Sequence, residues 1–156
     1  MCKLDNPSVK EQIIENIRKS GNTPEPFIPS AESINLNDWE MECDENDKVI
    51  AQGNLESNSG DWYSCTIQKV YVDEKYRGKG IGERIVQNLI FKAKAKKNKG
   101  FDDCQILTAD VDRSNEVSRN LFEKVGFKIK ESFCVPGDKK KADVLRMTLA
   151  EIRNCR

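Results

Sequence analysis

Three alternating glycines, placed where a strand gives way to a helix, constrain this chain more than any other sequence feature. The stretch VYVDEKYRGKGIGERIV spans residues 70–86 and contains Gly78, Gly80 and Gly82. The alternating valines before the glycines are typical of a strand. After them, apolar residues recur every three or four positions, as on an amphipathic helix. The pattern predicts a tight strand-to-helix turn with an accessible backbone.

Such a turn is suited to binding an anion. Glycine leaves the backbone N–H groups uncovered, and the first N–H groups of a helix have no partner within the helix. Arg77 and Lys79 add positive charge. Each charge-assisted hydrogen bond contributes about 1.5–3 kcal/mol, so four or five would anchor a pyrophosphate. A strand-to-helix turn without any ligand remains the alternative.

Two well-known phosphate motifs fail on spacing. A Walker A loop requires Ser or Thr after its Gly-Lys pair, but Gly80 follows Lys79. A dinucleotide fingerprint that starts at Gly78 would require glycine at position 83, where the chain has Glu83. The loop therefore points to a phosphate-bearing ligand of another kind.

Composition excludes several function classes. The 156 residues contain no histidine, which excludes a Ser-His-Asp triad, a Cys-His pair and a His-ligated zinc. Lysine plus arginine equals aspartate plus glutamate, 26 each, so a general nucleic-acid-binding role is not expected. The basic run 92–99 and the acidic run 40–47 are interpreted as solvated surface. The alternatives are a nucleic acid or another phosphate at the basic run, and a basic substrate such as a polyamine or a lysine-rich peptide at the acidic run. No segment reaches the ~20 apolar residues that span a bilayer, so no membrane partner is expected.

The cysteines indicate neither a metal site nor a redox pair. There are six of them, widely spaced and without a CxxC motif: Cys2, Cys43, Cys65, Cys104, Cys134 and Cys155. The first residues lack the apolar stretch of a secretory signal. We therefore expect no metal, a cytoplasmic location and free thiols, with three disulfides as the alternative.

Hydrophobic periodicity predicts a single mixed α/β domain over residues 1–156, with six or seven strands in a mixed sheet and helices packed on it. A capping box at Ser8 and Glu11 begins the first helix, which Gly21 can end. The other predicted elements are strands at 39–43, 49–55 and 62–72, a helix of about 18 residues from 81, a strand at 105–111, a helix at 115–125 and strands at 127–135 and 144–149. A weak edge strand is possible at 2–5. The segment 20–37 holds three of the five prolines and is long for a loop, which is typical of functional loops.

The glycine loop resembles motif A of the GCN5-related N-acetyltransferases (GNAT). The R-x-x-G-x-G core of that motif is present as Arg77, Gly80 and Gly82. Residues 107–127, LTADVDRSNEVSRNLFEKVGF, resemble the fifth strand and following helix of the family. Its recurring positions are occupied by Asn115, Ser118, Leu121, Gly126 and Phe127. The two similarities cover about residues 65–127 and are nearest to the branch that acetylates protein N-termini, including those of ribosomal proteins.

The resemblance implies a GNAT-like domain with helices on both faces of a splayed sheet. It places acetyl-CoA between the two strands that splay apart and the acceptor site at the 20–37 loop. A backbone N–H near Tyr71 would stabilise the oxyanion. The implied activity is transfer of an acetyl group to a peptide N-terminus, a lysine or a small polyamine, by a monomer or homodimer. The implied cofactor-binding residues are Val70, Tyr71, Val72, Arg77, Gly78, Lys79, Gly80, Ile81, Gly82, Asn115 and Phe122.

Asp110 is the candidate catalytic base. The string LTADV resembles the LTLEV of the N-terminal acetyltransferase branch, whose acidic residue takes the proton from the amine, and Asp110 stands in its place. The alternative is a surface carboxylate or a salt bridge to Arg113. Asp112, Glu56 and Asp61 are further candidates for the base.

Phe122 departs from the family pattern. The family usually has tyrosine there and uses it to protonate the leaving thiolate, which phenylalanine cannot do. A coenzyme thiol with a pKa near 8.5 is a tolerable leaving group without help. Tyr71, Tyr63 and Cys134 are the candidate substitutes. The missing tyrosine also motivates the alternative function, a non-catalytic acetyl-CoA-binding regulatory module.

Overall fold

The computed structural model describes residues 6–21, 23–57, 64–98, 106–112, 114–134 and 143–150. Within them, three α-helices and six strands follow the predicted order. The helices are α1 (Asn6–Ser20), α2 (Ile81–Asn98) and α3 (Glu116–Val125). The strands are β1 (Trp39–Cys43), β2 (Val49–Ser57), β3 (Ser64–Val72), β4 (Ile106–Asp112), β5 (Lys128–Cys134) and β6 (Asp143–Ala150). The possible strand at 2–5 lies outside the described residues, and α1 begins two residues before Ser8.

The strands form one mixed sheet in the order β1-β2-β3-β4-β6-β5. The first three are an antiparallel meander, as their short connections predict. Helix α2 connects β3 to β4, which run parallel. Strand β6 pairs antiparallel with both β4 and β5. The α/β class and the mixed sheet are confirmed.

Strands β3 and β4 pair over only part of their length. The pairing runs from Ser64 opposite Ile106 to Thr66 opposite Thr108. Beyond that rung β4 continues beside β6, with Asp112 opposite Val144, while β3 continues beside β2. The sheet therefore opens between β3 and β4, which is the splay implied by the family resemblance.

Each face of the sheet carries its own hydrophobic core. Helices α2 and α3 cover one face, where Ile85, Leu89 and Phe127 pack against the alternating side chains of β4. On the other face, α1 packs with Trp39 and with Ile34 from the 20–37 segment. Ile34 is 4% exposed, so this core holds the loop against the sheet. None of the helices in the described part of the chain is both long and apolar enough to cross a bilayer.

The acidic run 40–47 takes part in holding α2 on β1. Lys92 Nζ lies 3.2 Å from Glu40 Oε1 and donates to the carbonyl oxygens of Asn37 and Trp39 at 2.9 Å. Arg84 forms a two-point ion pair with Glu42. Glu40 and Glu42 therefore help to hold α2 against β1, in addition to being part of a solvated run.

The cysteines depart from the expectation of free thiols, because Cys43 and Cys65 are disulfide-bonded. Their strand positions lie opposite Val49 and Ser57, at the two ends of β2. The Cα atoms of a disulfide lie within about 7 Å, so these two residues belong to different disulfides. The cytoplasmic location stays a prediction and loses the support that free thiols would give it.

Candidate active site

The glycine loop owes its course to backbone conformation. Gly78 and Gly80 both have a φ of 79°, in the left-handed region that side chains with a Cβ rarely adopt. A Cβ built at either position would meet no atom within 4 Å. The two glycines are therefore required by the turn, and open space surrounds them.

Gly82 has a different role, since it lets α2 and α3 approach each other. A Cβ at this position would lie 3.3 Å from Leu121 Cδ2 and 3.4 Å from Val72 Cγ2. Helix α2 begins at Ile81, and its first N–H groups have no acceptor inside the helix. The N-terminus of α2 thus presents donors and a partial positive charge at the glycine loop.

A cavity of about 450 Å³ lies in front of this loop. It extends along β3 and under α3. Its lining residues are Ser20, Val70, Tyr71, Val72, Tyr76, Arg77, Gly78, Gly80, Ile81, Gly82, Glu83, Asn115, Val117, Ser118, Leu121 and Lys124. Nine of the eleven cofactor-binding residues predicted from the sequence are among them.

Positive charge surrounds the loop end of the cavity. Arg77 is anchored by a 2.9 Å hydrogen bond from its Nε to the Val72 carbonyl oxygen. Lys79 does not line the cavity, and its Nζ lies 5.5 Å from the centre of the Tyr76 ring. Glu83 is neutralised by Lys124 at 3.0 Å. An anion at the loop therefore meets Arg77, and the adjacent carboxylate of Glu83 is already paired with Lys124.

Helix α3 contributes Asn115 but not Phe122. Asn115 is the N-cap of α3, where its Oδ1 accepts from Ser118 N at 3.2 Å, and it lines the cavity. Phe122 is 4% exposed and packs edge-to-face on Phe127 with the ring centres 5.1 Å apart. It lies in the core beneath the cavity, so we leave it out of the proposed cofactor contacts.

Tyr71 is the candidate substitute hydroxyl that the structure places at the cavity. Burial and the neighbouring Asp73 raise the pKa of its phenol. The phenol therefore keeps its proton at neutral pH and can donate it. Tyr63 and the Cys134 side chain lie outside the described residues.

A β-bulge interrupts β3 beside the cavity. Gln52 of β2 pairs with Tyr71 and Asn54 pairs with Gln68, so β3 holds one extra residue over this interval. Lys69 lies there with a φ of 55°, which is rare for a residue with a side chain. The sequence holds one sign of this bulge, because two polar residues, Gln68 and Lys69, separate the apolar residues Ile67 and Val70. The strand prediction did not use it.

Polar side chains cover the sheet face opposite α2 where β3 and β4 part. Gln68 donates to Asn54 Oδ1 at 3.0 Å and also to Glu56. The hydroxyls of Thr66 and Thr108 hydrogen bond across the last β3–β4 rung at 3.0 Å. We call this surface the polar face, and its residues are Asn54, Glu56, Thr66, Gln68, Thr108 and Asp110.

Asp110 lies on the polar face two residues beyond Thr108 on β4. Its neighbours Ala109 and Val111 are buried in the opposite core, whereas Asp110 is exposed. It does not line the cavity itself. Its place beside the opening between β3 and β4 suits a group that meets an incoming acceptor. Arg113, the alternative partner, lies outside the described residues.

Of the other carboxylates considered for the base, Asp112 has a local structural role. Its Oδ1 accepts from Ser114 N at 2.9 Å and from Ser114 Oγ at 2.6 Å. These hydrogen bonds lower the pKa of Asp112 and fix the turn into α3. Glu56 lies on the polar face, and Asp61 lies outside the described residues.

The family now follows from comparison with known proteins. A model described as the acetyltransferase (GNAT) family matches residues 16–127, more than two thirds of the chain. The chain belongs to the GNAT family.

Solved structures show the same GNAT fold at low sequence identity. An N-acetyltransferase from Staphylococcus aureus Mu50 superposes with a TM-score of 0.72 at 24% identity, covering 97% of this chain and 98% of that one. A ribosomal-protein-alanine N-acetyltransferase from Brucella melitensis gives 0.71 at 20%, covering 94% of each chain. The yncA structure from Salmonella typhimurium, with its cofactor acetyl-CoA, gives 0.71 at 19%, covering 94% and 88%. No curated protein matches.

Several residues of this GNAT site were not predicted from the sequence as site residues. Ser20, Tyr76, Val117 and Lys124 line the cavity, and Lys69 forms the bulge. Val117 is 75% exposed in the structure, and nothing in the sequence separates it from the apolar residues of α3 that face the core. The others depend on how the chain folds back on itself.

Asp73 links the stability of this GNAT loop to pH. Its Oδ1 accepts from Lys75 N at 3.0 Å, and Lys48 Nζ lies 3.6 Å from its Oδ2. The hydrogen bond from Lys75, followed by Lys48, holds the pKa of Asp73 below its usual value. A lowered folded-state pKa stabilises the fold above the unfolded value, and this stabilisation is lost as pH falls through the folded value.

We therefore expect Asp73→Ala to lower the melting temperature at about pH 7 and to lower it less as the pH approaches about 3. Thermal melts of the wild type and of Asp73→Ala across this pH range measure the difference between their melting temperatures. If this difference in melting temperature does not change with pH, Asp73 acts only through packing.

Proposed function

We propose that this protein transfers the acetyl group of acetyl-CoA to a primary amine by direct attack. The acceptor is a peptide N-terminus, a lysine or a small polyamine. The observation that carries the proposal is the cavity along the part of β3 that lies beyond its pairing with β4, with the glycine loop at one end. The polar face with Asp110 lies beside the opening between β3 and β4.

The residues present fit the co-substrate. The N–H groups of the glycine loop and of the start of α2 are suited to the pyrophosphate, and Arg77 lies beside them. The β3 backbone at Val70–Val72 lines the cavity beyond the end of its pairing with β4. It can therefore bind the amide groups of the pantetheine arm as another strand would. Asn115 lies across the cavity on α3 and can donate to the same arm.

Asp110 is proposed to take the proton from the acceptor amine, directly or through a water molecule. A lysine-like amine with a pKa near 10.4 costs about 4.6 kcal/mol to deprotonate at pH 7, and an α-amine with a pKa near 7.8 about 1 kcal/mol. A carboxylate at the opening can take the proton as the nitrogen bonds to the carbonyl carbon, when the amine becomes far more acidic. It also attracts the ammonium form, which both acceptor types carry in water.

Backbone and side-chain donors near Tyr71 are proposed to stabilise the oxyanion and to protonate the leaving thiolate. The bulge at Lys69 turns the β3 backbone next to Val70 and Tyr71, where an N–H can stabilise the developing oxyanion. Removing such a donor elsewhere costs about 10²–10³ in rate. The Tyr71 phenol, held protonated, is the proposed proton donor to the departing thiolate.

The direct test incubates the protein with acetyl-CoA and separate pools of polyamines, N-terminal peptides and lysine peptides. Free coenzyme A is quantified chromatographically, because the protein's own cysteines would interfere with a thiol reagent. We expect one pool to release coenzyme A above the blank without acceptor. Acetyl-CoA should also raise the melting temperature, since a ligand that binds the folded state stabilises it.

The same experiment separates the alternative function. Phe122 lies in the core and cannot act as an acid, which favours a non-catalytic acetyl-CoA-binding module as the second candidate. That module would show the thermal shift with no release from any pool. Neither release nor shift would contradict both functions. A cytoplasmic location and a monomeric or homodimeric state are part of the proposal.

A further inference from the structure

Lys69 is placed differently from the other lysines that the structure describes. It is the bulge residue of β3, with a left-handed φ of 55°. It lies three residues beyond the last rung that joins β3 to β4 and directly before Val70, which lines the cavity. Strained backbone that persists beside a site supports a hypothesis of function there.

The bulge sets the direction of the Lys69 side chain. Ile67 and Val70 both contact the core under α2, although they are three residues apart. Strict alternation would leave one residue between two inward side chains, but here Gln68 and Lys69 both lie between them. Gln68 contacts Asn54 and Glu56 on the polar face. Lys69 therefore leaves the core next to the polar face.

The chemistry of the Lys69 amine suits acyl transfer. The side chain is half-buried, and this burial lowers the pKa of its ammonium group despite the opposing charge of Glu56. A larger fraction of the amine is therefore neutral near pH 7 than for an exposed lysine. Only the neutral amine has the lone pair that attacks a thioester.

We propose that Lys69 is a self-acetylation site, modified by the acetyl-CoA bound in the adjacent cavity. The inference rests on the proposed function, because it requires acetyl-CoA in that cavity. The Lys69 Nζ attacks the thioester carbonyl carbon, an N–C bond forms and the C–S bond breaks. The proton lost from nitrogen goes to the departing thiolate, so the products are acetyl-lysine and coenzyme A. The change removes the positive charge beside Glu56.

The test uses the wild-type protein with acetyl-CoA and no acceptor. Peptide mass spectrometry, after digestion by a protease that does not cut at lysine, gives the initial rate of acetylation at each site. Lys75 is the internal control, because it is exposed on the turn before the glycine loop. We expect Lys69 to react at least about tenfold faster than Lys75. An amine and a thioester held next to each other in one protein react in an effectively unimolecular step. The rate per molecule at Lys69 should not change on dilution.

Two further arms separate specific modification from background reaction. Excess coenzyme A should slow Lys69 and leave Lys75 unchanged, and Lys69→Arg should abolish the fast site while keeping the melting temperature. Equal rates at the two lysines, in a protein that acetyl-CoA stabilises against heat, would overturn the self-acetylation and leave the proposed function standing. Without thermal stabilisation and without release to any acceptor, the proposed function itself fails.

Discussion

Gly80→Asp is expected to weaken acetyl-CoA binding by about 10²-fold or more. A Cβ at Gly80 points into open space at the cavity lining. The new carboxylate would therefore stand where the pyrophosphate is proposed to bind. It repels that anion and offers the loop N–H groups an internal acceptor. Losing two charge-assisted hydrogen bonds of about 1.5–3 kcal/mol each already accounts for the expected factor.

Gly21→Asp is the matched control. Gly21 also has a left-handed backbone, with a φ of 68°, and no atom would lie within 4 Å of an added Cβ. It follows α1 and is not among the cavity-lining residues. Both variants impose similar backbone strain, so their melting temperatures should fall by similar amounts. Gly80→Asp alone should lose affinity.

Calorimetric titration with acetyl-CoA measures both variants against the wild type. Gly80→Ala adds the strain without the charge and should fall between them. If Gly80→Asp binds acetyl-CoA as tightly as Gly21→Asp does, the glycine loop does not hold the pyrophosphate. The pyrophosphate of the coenzyme would then have to bind at another part of the protein.

The elements that sequence patterning predicted best are those set by local interactions. The sequence pattern places a helix start at Asn115 and its end at Gly126, and the structure shows Asn115 as N-cap and Gly126 with a φ of 111°. Three successive strands with short connections have few ways to pair other than as a meander. The glycine loop could be predicted because glycines are costly beside a helix unless the backbone of the turn requires them.

Features that depend on packing between distant segments were not predictable in the same way. Phe122 shows why, because its helical position allows it to face either a ligand or the core. The contact with Phe127 and the packing of α2 place the Phe122 ring in the core. The Lys69 bulge was missed because its sequence sign is small: a second polar residue between Ile67 and Val70, after which Val70 and Val72 alternate again. The opening between β3 and β4 was predicted only through the family resemblance, because the sequence of a strand does not show how far it pairs with its neighbour.

Asp110→Asn is expected to lower the turnover rate by about 10²–10⁴-fold while leaving acetyl-CoA affinity near that of the wild type. Asparagine keeps the shape and hydrogen-bonding capacity of the side chain but cannot take a proton. Asp110 lies on the polar face and does not line the cavity, so coenzyme binding should not depend on its charge. Steady-state kinetics with the acceptor pool that releases coenzyme A measures the rate.

Asp112→Asn is the control for removing a negative charge from β4. Asp112 lies two residues away on the same side of the strand, and its carboxylate is committed to Ser114. Losing that charge should reduce stability, because the hydrogen bonds that lower the pKa of Asp112 weaken. Turnover should change far less than in Asp110→Asn. Equal losses of rate in the two variants would indicate a general effect of charge at this edge of the sheet.

The pH dependence of Asp110→Asn distinguishes a base from a group that only attracts the substrate. Without a base, the reaction depends on acceptor amines already neutral in solution, so the rate of the variant should rise about tenfold per pH unit below the amine pKa. The wild type should depend less steeply on pH, because Asp110 takes the proton from the bound amine. The deficit of the variant should therefore shrink as pH rises from about 6 to about 9. A carboxylate that only attracts an ammonium ion would instead affect mainly KM, and the ratio of turnover rates would stay constant across this range. A constant ratio would remove Asp110 from the role of base and leave Glu56, on the same polar face, as the next carboxylate to substitute.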